Sequence, residues 1–140
     1  MICHIHHHSH EPGSPFAAGL PGNAVQGFAA PLAGEAVYFK HVSGGFIGTA
    51  LESDLRRAGN EYVLLRGAEA NSCVETTARM AGNLDFAMLF AGDAVWAYGA
   101  IGPDGRSHTP DEVLSMTLCN MQGEFGSVVS TDEALALLGG

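Results

Sequence analysis

Short apolar runs alternate with stretches of helical periodicity along the chain, and this alternation predicts an α/β fold. The runs that predict strands are residues 2–8, 36–39, 62–65, 86–90 and 127–129. Strands that alternate with helices form a mostly parallel sheet with helices on both faces. The chain is therefore predicted to fold as one α/β domain over residues 1–140.

Capping residues mark the predicted helices. In residues 48–58 two leucines lie at helical spacing, and a glycine follows as a terminator. Thr109 and Pro110 predict the start of another helix, whose first turn is acidic. Two further helices are predicted, over residues 73–82 and from Ser130 onward. The irregular connections are predicted at residues 11–31 and at 93–107, which contains a Gly-Pro-Asp-Gly turn.

Composition and charge exclude several classes of function. The chain is 46% apolar, which is enough for a core, and its formal net charge is −9. This charge argues against a nucleic-acid surface and against binding to an anionic membrane. No apolar run approaches a membrane span, and the first residues lack the pattern of a signal peptide. Three scattered cysteines form no disulfide framework, so the sequence favours the cytoplasm.

The segment 67–79 carries the strongest indication of chemistry. It follows an apolar run and places Cys73 where a strand passes through a small-residue turn into a helix. A helix start favours the thiolate over the thiol, and its backbone N–H groups can stabilise an oxyanion. This arrangement is typical of acyl transfer or amide hydrolysis. The alternative is a small buried cysteine without chemistry.

Five blocks of the sequence occur in the order of one known family: residues 6–16, residues 34–40 continuing through 46–55, residues 67–79, residues 92–94 and residues 118–125. In these blocks the chain resembles the isochorismatase-like cysteine hydrolases, which include nicotinamidases and N-carbamoyl amidohydrolases. The resemblance implies a three-layer α/β/α fold around a mostly parallel, Rossmann-like sheet with strand order 3-2-1-4-5-6.

The resemblance also implies the site residues. Cys73 lies at the family's nucleophile position, and Lys40 lies at its lysine position, where a positive charge favours the thiolate. The family's cis peptide maps to the bond between Ala68 and Glu69. Its oxyanion hole maps to the backbone N–H groups of Glu69 and Cys73. No cofactor is implied.

The substrate pocket is assigned on weaker grounds. Phe46, Asn71 and Trp96 are the candidates for contact with substrate. Phe46 and Trp96 are equally well explained as packing residues. Ala70 stands where many relatives have threonine, which changes the hydrogen bonding on the substrate side.

One part of the family pattern is absent from this sequence. The family's first strand carries an aspartate base in an Asp-x-Gln stretch, and no acidic residue before Lys40 fits that role. We expect an N-terminally truncated domain without strand 1, in which each neighbouring strand has an open edge unless the two pair directly. General acid–base help is worth about 10²–10⁴ in rate, so we expect impaired activity.

Two functions follow from these residues. The first is hydrolysis of a C–N bond in a small amide or carbamoyl compound through a thioester on Cys73. The cysteine argues against the vinyl-ether hydrolases of the superfamily, which work without it. The alternative is a catalytically inactive fold that serves as a binding or assembly partner. Relatives commonly form dimers or tetramers, so a homo-oligomer is expected.

The remaining chemical residues are interpreted without a role in catalysis. His4, His6 and His8 would project to one face of a strand, but no aspartate lies nearby, so solvated histidines are favoured over a metal site. Cys119 is predicted to be buried packing. Two further residues are weighed in the same way: Asp93 is too distant in sequence to replace the base, and Arg79 is expected to pair with a carboxylate.

Overall fold

A computed structural model describes residues 1–138, which form two compact units, residues 1–59 and residues 60–138. The strands are β1 (Cys3–His7), β2 (Ala36–Lys40), β3 (Tyr62–Gly67), β4 (Ala87–Val95), β5 (Ala100–Ile101), β6 (Ser107–His108) and β7 (Gly126–Val129). The α-helices are α1 (Leu51–Arg57), α2 (Glu75–Asn83), α3 (Pro110–Met121) and α4 (Thr131–Leu138). Residues 139–140, the end of the predicted domain, lie outside the described residues.

The N-terminal unit is built on a parallel pair of strands. β1 pairs with β2 in a register that places Ile5 opposite Tyr38. The aromatic ring of Tyr38 is buried, and its hydroxyl donates to Asp54 Oδ2 of α1 at 2.8 Å. The helix buries Leu51 and Leu55. The long connection between the strands contains only two short 3₁₀ turns.

The C-terminal unit contains a parallel sheet of three strands in the order β3-β4-β7. β4 is its central strand, and Met88 and Phe90 are almost completely buried on it. Parallel strands covered by helices read as continuous apolar runs, and residues 87–91 of β4 fit this pattern. Met121 at the end of α3 is also fully buried.

The predicted α/β class with parallel pairing is confirmed. With strand 1 of the family absent, β1 and β2 correspond to family strands 2 and 3, and β3, β4 and β7 correspond to family strands 4, 5 and 6. The observed neighbours then agree with the 3-2 and 4-5-6 parts of the expected strand order. In the part of the chain that the structure describes, β1 and β3 each pair along one edge only. No helix among residues 1–138 is long and apolar enough to cross a membrane.

The prediction of a loop over residues 93–107 was wrong at both ends. β4 continues to Val95, and a small antiparallel hairpin forms from β5 and β6. The turn of this hairpin is closed by hydrogen bonds from Gly102 N–H to the Arg106 carbonyl and from Gly105 N–H to the Gly102 carbonyl. The Gly-Pro-Asp-Gly signal marked the turn correctly, but two-residue strands are too short to show a period of two.

Candidate active site

The segment after β3 has the geometry that the sequence indicated, with one difference. The peptide bond between Ala68 and Glu69 is cis, at the bond that the resemblance assigned. Residues Ala70–Val74 then form a π-helical turn, and α2 continues from it. Cys73 therefore lies inside this π turn and not at the first residue of an α-helix. Single π turns next to α-helices occur frequently at functional sites.

Backbone hydrogen bonds around the π turn converge on Glu69. The N–H groups of Ser72 and Val74 both donate to its carbonyl oxygen, at 3.2 and 3.1 Å. The carbonyl oxygen of Cys73 accepts from Thr77 Oγ1 at 2.7 Å, and Thr77 is buried. The backbone on both sides of the cysteine is thus held by defined contacts.

The end of β4 packs against the same segment through its backbone. Trp96 N–H donates to the Gly67 carbonyl at 3.3 Å, and the Trp96 carbonyl accepts from Ala70 N–H at 2.9 Å. The indole of Trp96 is about half exposed. Asn71, within the π turn, is exposed as well. The structure therefore brings two of the three pocket candidates, Asn71 and Trp96, to the segment that carries Cys73.

An open cleft in the C-terminal unit begins at Asn71. It runs between the π turn, the β5–β6 hairpin and α3, and its polar lining includes Glu75, Arg106, His108, Glu112 and Asn120. Arg106 Nη2 lies 3.5 Å from Glu112 Oε1. Sequence reasoning missed Arg106, His108 and Asn120. The Gly-Pro-Asp-Gly turn signal of the hairpin lies just before Arg106 and His108, and it was the available indication for these two residues.

Lys40 and Phe46 belong to the N-terminal unit and are described there. Lys40 is 4% exposed, and its Nζ donates to the Val42 carbonyl at 2.9 Å. The same Nζ lies 3.4 Å from His7 Nδ1. Burial of a charged ammonium costs free energy unless it is paired or hydrogen-bonded, and these contacts provide such partners. Phe46 is also buried, at 8% exposure.

The histidines of β1 contact protein groups. His4 Nε2 lies 2.8 Å from Glu35 Oε2, an ion pair when the ring is protonated. Partial burial lowers the pKa of His6, and the charges of His4 and His8 lower it further. Among residues 1–138 no group of three or more histidine, cysteine or acidic side chains is arranged to hold a metal ion.

Two residues outside the site, Arg79 and Asp93, were also interpreted from sequence. Arg79 donates to Glu75 Oε1 at 2.7 Å within α2, and its guanidinium lies 4.5 Å from the centre of the Phe125 ring. Asp93 accepts hydrogen bonds from Thr131 at the start of α4.

The prediction that Cys119 is buried was wrong, because this cysteine is exposed. The buried positions of α3 are Thr117 and Met121, each two residues from Cys119. At 3.6 residues per turn, a shift of two residues points to the opposite side of a helix. The apolar composition around Cys119 did not reveal on which face of the helix it lies.

Comparison with known proteins agrees with this geometry. Residues 2–133 match the model of the isochorismatase domain. The uncharacterized isochorismatase family protein YrdC of Bacillus subtilis (strain 168) is 30% identical over 134 residues, which cover 96% of this chain and 72% of that protein.

Solved structures give the same picture. A candidate hydrolase of the isochorismatase family from Chromobacterium violaceum ATCC 12472 superimposes with a TM-score of 0.93 at 39% identity, covering 98% of this chain and 71% of that one. The N-carbamoylsarcosine amidase of Thermoplasma acidophilum superimposes with a TM-score of 0.71 at 26% identity, covering 93% and 72%.

Proposed function

Because the chain belongs to the isochorismatase family of hydrolases, we propose that it hydrolyses a C–N bond in a small amide or carbamoyl compound through Cys73. The observation that carries this proposal is the position of Cys73 in the π turn between β3 and α2. Parallel α/β folds place their sites beyond the carboxyl ends of strands, and Cys73 follows the carboxyl end of β3. The name of the Thermoplasma relative motivates the carbamoyl compounds among the candidate substrates.

The proposed reaction has two steps at Cys73. The thiolate attacks the substrate carbonyl carbon, so that a C–S bond forms and a tetrahedral oxyanion develops. Collapse of this intermediate breaks the C–N bond, and the amine leaves with a proton that it takes from solvent. Water then attacks the thioester and gives a proton back to solvent, which releases the acid and returns the sulfur as thiolate. We assign the backbone N–H groups of Glu69 and Cys73 as the oxyanion donors.

The other site residues are part of this proposal. Lys40 is assigned to the same reaction as the family's lysine, which fits a charged side chain that is 4% exposed. Phe46, Asn71 and Trp96 are assigned to substrate contact. A homo-oligomer and a cytoplasmic location stay predictions from the sequence.

The first experiment compares thiol reactivity within one protein. The thiols of the three cysteines, Cys3, Cys73 and Cys119, none of which forms a disulfide, are alkylated with iodoacetamide at about pH 6 and quantified by peptide mass spectrometry. We expect Cys73 to react fastest, although Cys119 is the exposed thiol. Cys3 should react slowly, because burial raises the pKa of its thiol. If Cys73 reacts no faster than Cys119, it is an ordinary thiol and the alternative of an inactive binding or assembly fold is favoured.

The second experiment measures turnover on a panel of small amides and N-carbamoyl compounds. Cys73→Ala should lower kcat/KM by at least about 10³-fold on any active substrate. Lys40→Met should lower it by at least about 10²-fold. Cys119→Ser is the matched control, since it removes an exposed thiol, and it should leave the rate unchanged. Full activity in Cys73→Ala would refute the proposal.

A further inference from the structure

The chain contains one lysine, and its ammonium group has defined hydrogen-bond partners. Lys40 is the only lysine among the 140 residues, and its side chain is buried at the end of β2. Its Nζ donates to the Val42 carbonyl at 2.9 Å and lies 3.4 Å from His7 Nδ1. An ammonium group can only donate, so the contact with His7 is a hydrogen bond when His7 Nδ1 carries no proton. The contact therefore depends on the protonation state of His7.

The pairing of β1 with β2 brings these two side chains together. His7 is the register partner of Lys40, and the N–H of His8 donates to the Lys40 carbonyl at 2.8 Å. Register partners on neighbouring strands direct their side chains to the same face of the sheet. His6 points to the opposite face, where its ring contacts that of Phe39 with 5.8 Å between the ring centres. Of these two adjacent histidines, His7 is therefore the one that lies on the face of Lys40.

The long connection between the two strands holds His7 in place. The side-chain amide of Asn23 donates to the His7 carbonyl at 3.0 Å and also to the Phe16 carbonyl. The N–H of Ser9 donates to the same Phe16 carbonyl at 2.9 Å. The Phe16 ring in turn lies edge-on to the imidazole of His7, with 6.3 Å between the ring centres and 83° between the planes. These contacts fix both the backbone and the ring of His7, so that Nδ1 stays directed at the ammonium.

The charges around His7 favour its neutral form. Partial burial and then the charge of Lys40 lower the pKa of His7 below its ordinary value of 6.5. His41 lowers this pKa further, whereas the Val42 carbonyl and Glu11 raise it. His7 lines an open cleft, so its ring exchanges protons with solvent. As the pH falls through the lowered pKa, a proton on Nδ1 replaces the hydrogen bond with repulsion between two positive charges.

We infer that His7 is a positioning residue for Lys40: its neutral ring accepts from the ammonium and fixes it for the proposed reaction, and protonation of His7 releases the ammonium and sets the acid limit of turnover. His7 acts through Lys40 and is assigned no bond-making step. This inference rests on the proposed function, because the position of Lys40 affects turnover only if Lys40 takes part in the reaction.

NMR of the full chain tests the contact without any substrate. Because Lys40 is the only lysine, labelling of lysine with carbon-13 at Cε gives a single side-chain signal. We expect this signal to shift as the pH falls from about 7.5 to about 4.5, with the same midpoint as the titration of His7. That midpoint should lie below 6.5. Nitrogen-15 spectra should place the proton of neutral His7 on Nε2, since Nδ1 accepts from Lys40.

Two variants of His7 separate the hydrogen bond from the titration, and circular dichroism checks that each is folded. His7→Asn places an amide oxygen where Nδ1 lies but cannot titrate, so the Lys40 signal should keep its neutral-pH position and lose its pH dependence. His7→Leu removes the acceptor and should change both. His6→Leu is the matched control, because burial also lowers the pKa of His6 but its ring lies on the other face; both should be unchanged. A pH-dependent shift that persists in His7→Asn would come from His41 or Glu11 and would overturn the inference, as would its loss in His6→Leu.

Turnover on a substrate found in the panel tests the consequence for the reaction. His7→Leu should lower kcat about tenfold at neutral pH and leave KM within about twofold, since a hydrogen bond to a charged group is lost but no substrate contact. His7→Asn should keep kcat within about threefold and remove the acid limit. If His7→Leu keeps the native kcat and pH profile while Lys40→Met is inactive, the inference is overturned and the hydrolase function stands. A panel without any active substrate would count against the proposed function, whereas the Lys40 signal would still support or overturn the contact with His7.

Discussion

Replacement of Asp93 by alanine tests whether this carboxylate is a structural or a catalytic group. Its Oδ1 accepts two hydrogen bonds from Thr131, one from the backbone N–H and one from the hydroxyl, both at 2.8 Å. The two residues are 38 positions apart, so the contact ties the end region of β4 to the first residue of α4. We expect Asp93→Ala to lower the free energy of unfolding and to leave the chemistry intact.

The magnitude follows from what remains at the start of α4. Ser130 and Glu133 form their own reciprocal cap, with Glu133 Oε2 accepting from Ser130 N–H at 2.7 Å and Ser130 Oγ accepting from Glu133 N–H at 3.2 Å. Asp93→Ala therefore removes the tether but not this cap. Loss of a charged helix-terminal acceptor costs about 0.5–2 kcal/mol, and exposure of Asp93 places the value near about 1 kcal/mol. For a chain of this length that corresponds to a drop in Tm of about 3–4 °C.

Thermal and urea unfolding followed by circular dichroism measure this loss. Asp93→Asn keeps one oxygen acceptor and should lose about half as much stability. Asp132→Ala is the control, because it removes an acidic side chain in the first turn of the same helix and should cost only a few tenths of a kcal/mol, about 0.3. If Asp93→Ala keeps full stability but loses turnover on an active substrate, Asp93 takes part in catalysis and the structural interpretation is wrong.

Two further predictions concern the packing of each unit. Burial, followed by the hydrogen bond to Asp54, raises the pKa of Tyr38 from 10.0 to about 12. The protonated Tyr38 hydroxyl therefore contributes fully to the free energy of unfolding below about pH 10, and this contribution is lost as the pH rises through about 12. Absorbance of tyrosinate should therefore show one tyrosine that ionises last, and Tyr38→Phe should remove that step; an unchanged profile would contradict the assignment. Gly126→Ala should destabilise the protein by about 3 kcal/mol or more, since the new Cβ would clash with the Met88 carbonyl oxygen, and urea unfolding would detect the loss. Gly27→Ala, whose Cβ meets no atom within 4 Å, should be nearly neutral, and equal effects of the two substitutions would show that the close approach is not real.

Local signals in the sequence predicted the elements well where capping chemistry lies within a few residues. The helix start predicted at Thr109 and Pro110 is present, and it is held by a capping box in which Thr109 accepts from Glu112 N–H at 3.2 Å and Glu112 accepts from Thr109 N–H at 2.8 Å. The strand and turn before Cys73 were predicted from an apolar run followed by small residues. These features depend on neighbours in sequence, so the sequence contains their full cause.

Contacts between distant residues could not be predicted in this way. The hydrogen bonds of Asp93 to Thr131, the exposed position of Cys119 and the approach of the Trp96 backbone to the segment of Cys73 arise from packing between elements. The π turn also escaped prediction, because its one-residue difference from an α-helical turn leaves no clear periodic signal.

The sequence by itself determined the fold class, the family and the candidate nucleophile. Apolar periodicity, caps and ordered motifs are set by the order of residues along the chain. Only the tertiary structure decided which distant side chains lie together. His10 and His41, for example, are far apart in sequence, and their rings stack on each other. Side-chain proximity depends on how strands pair and helices pack, and those interactions join residues that no local pattern connects.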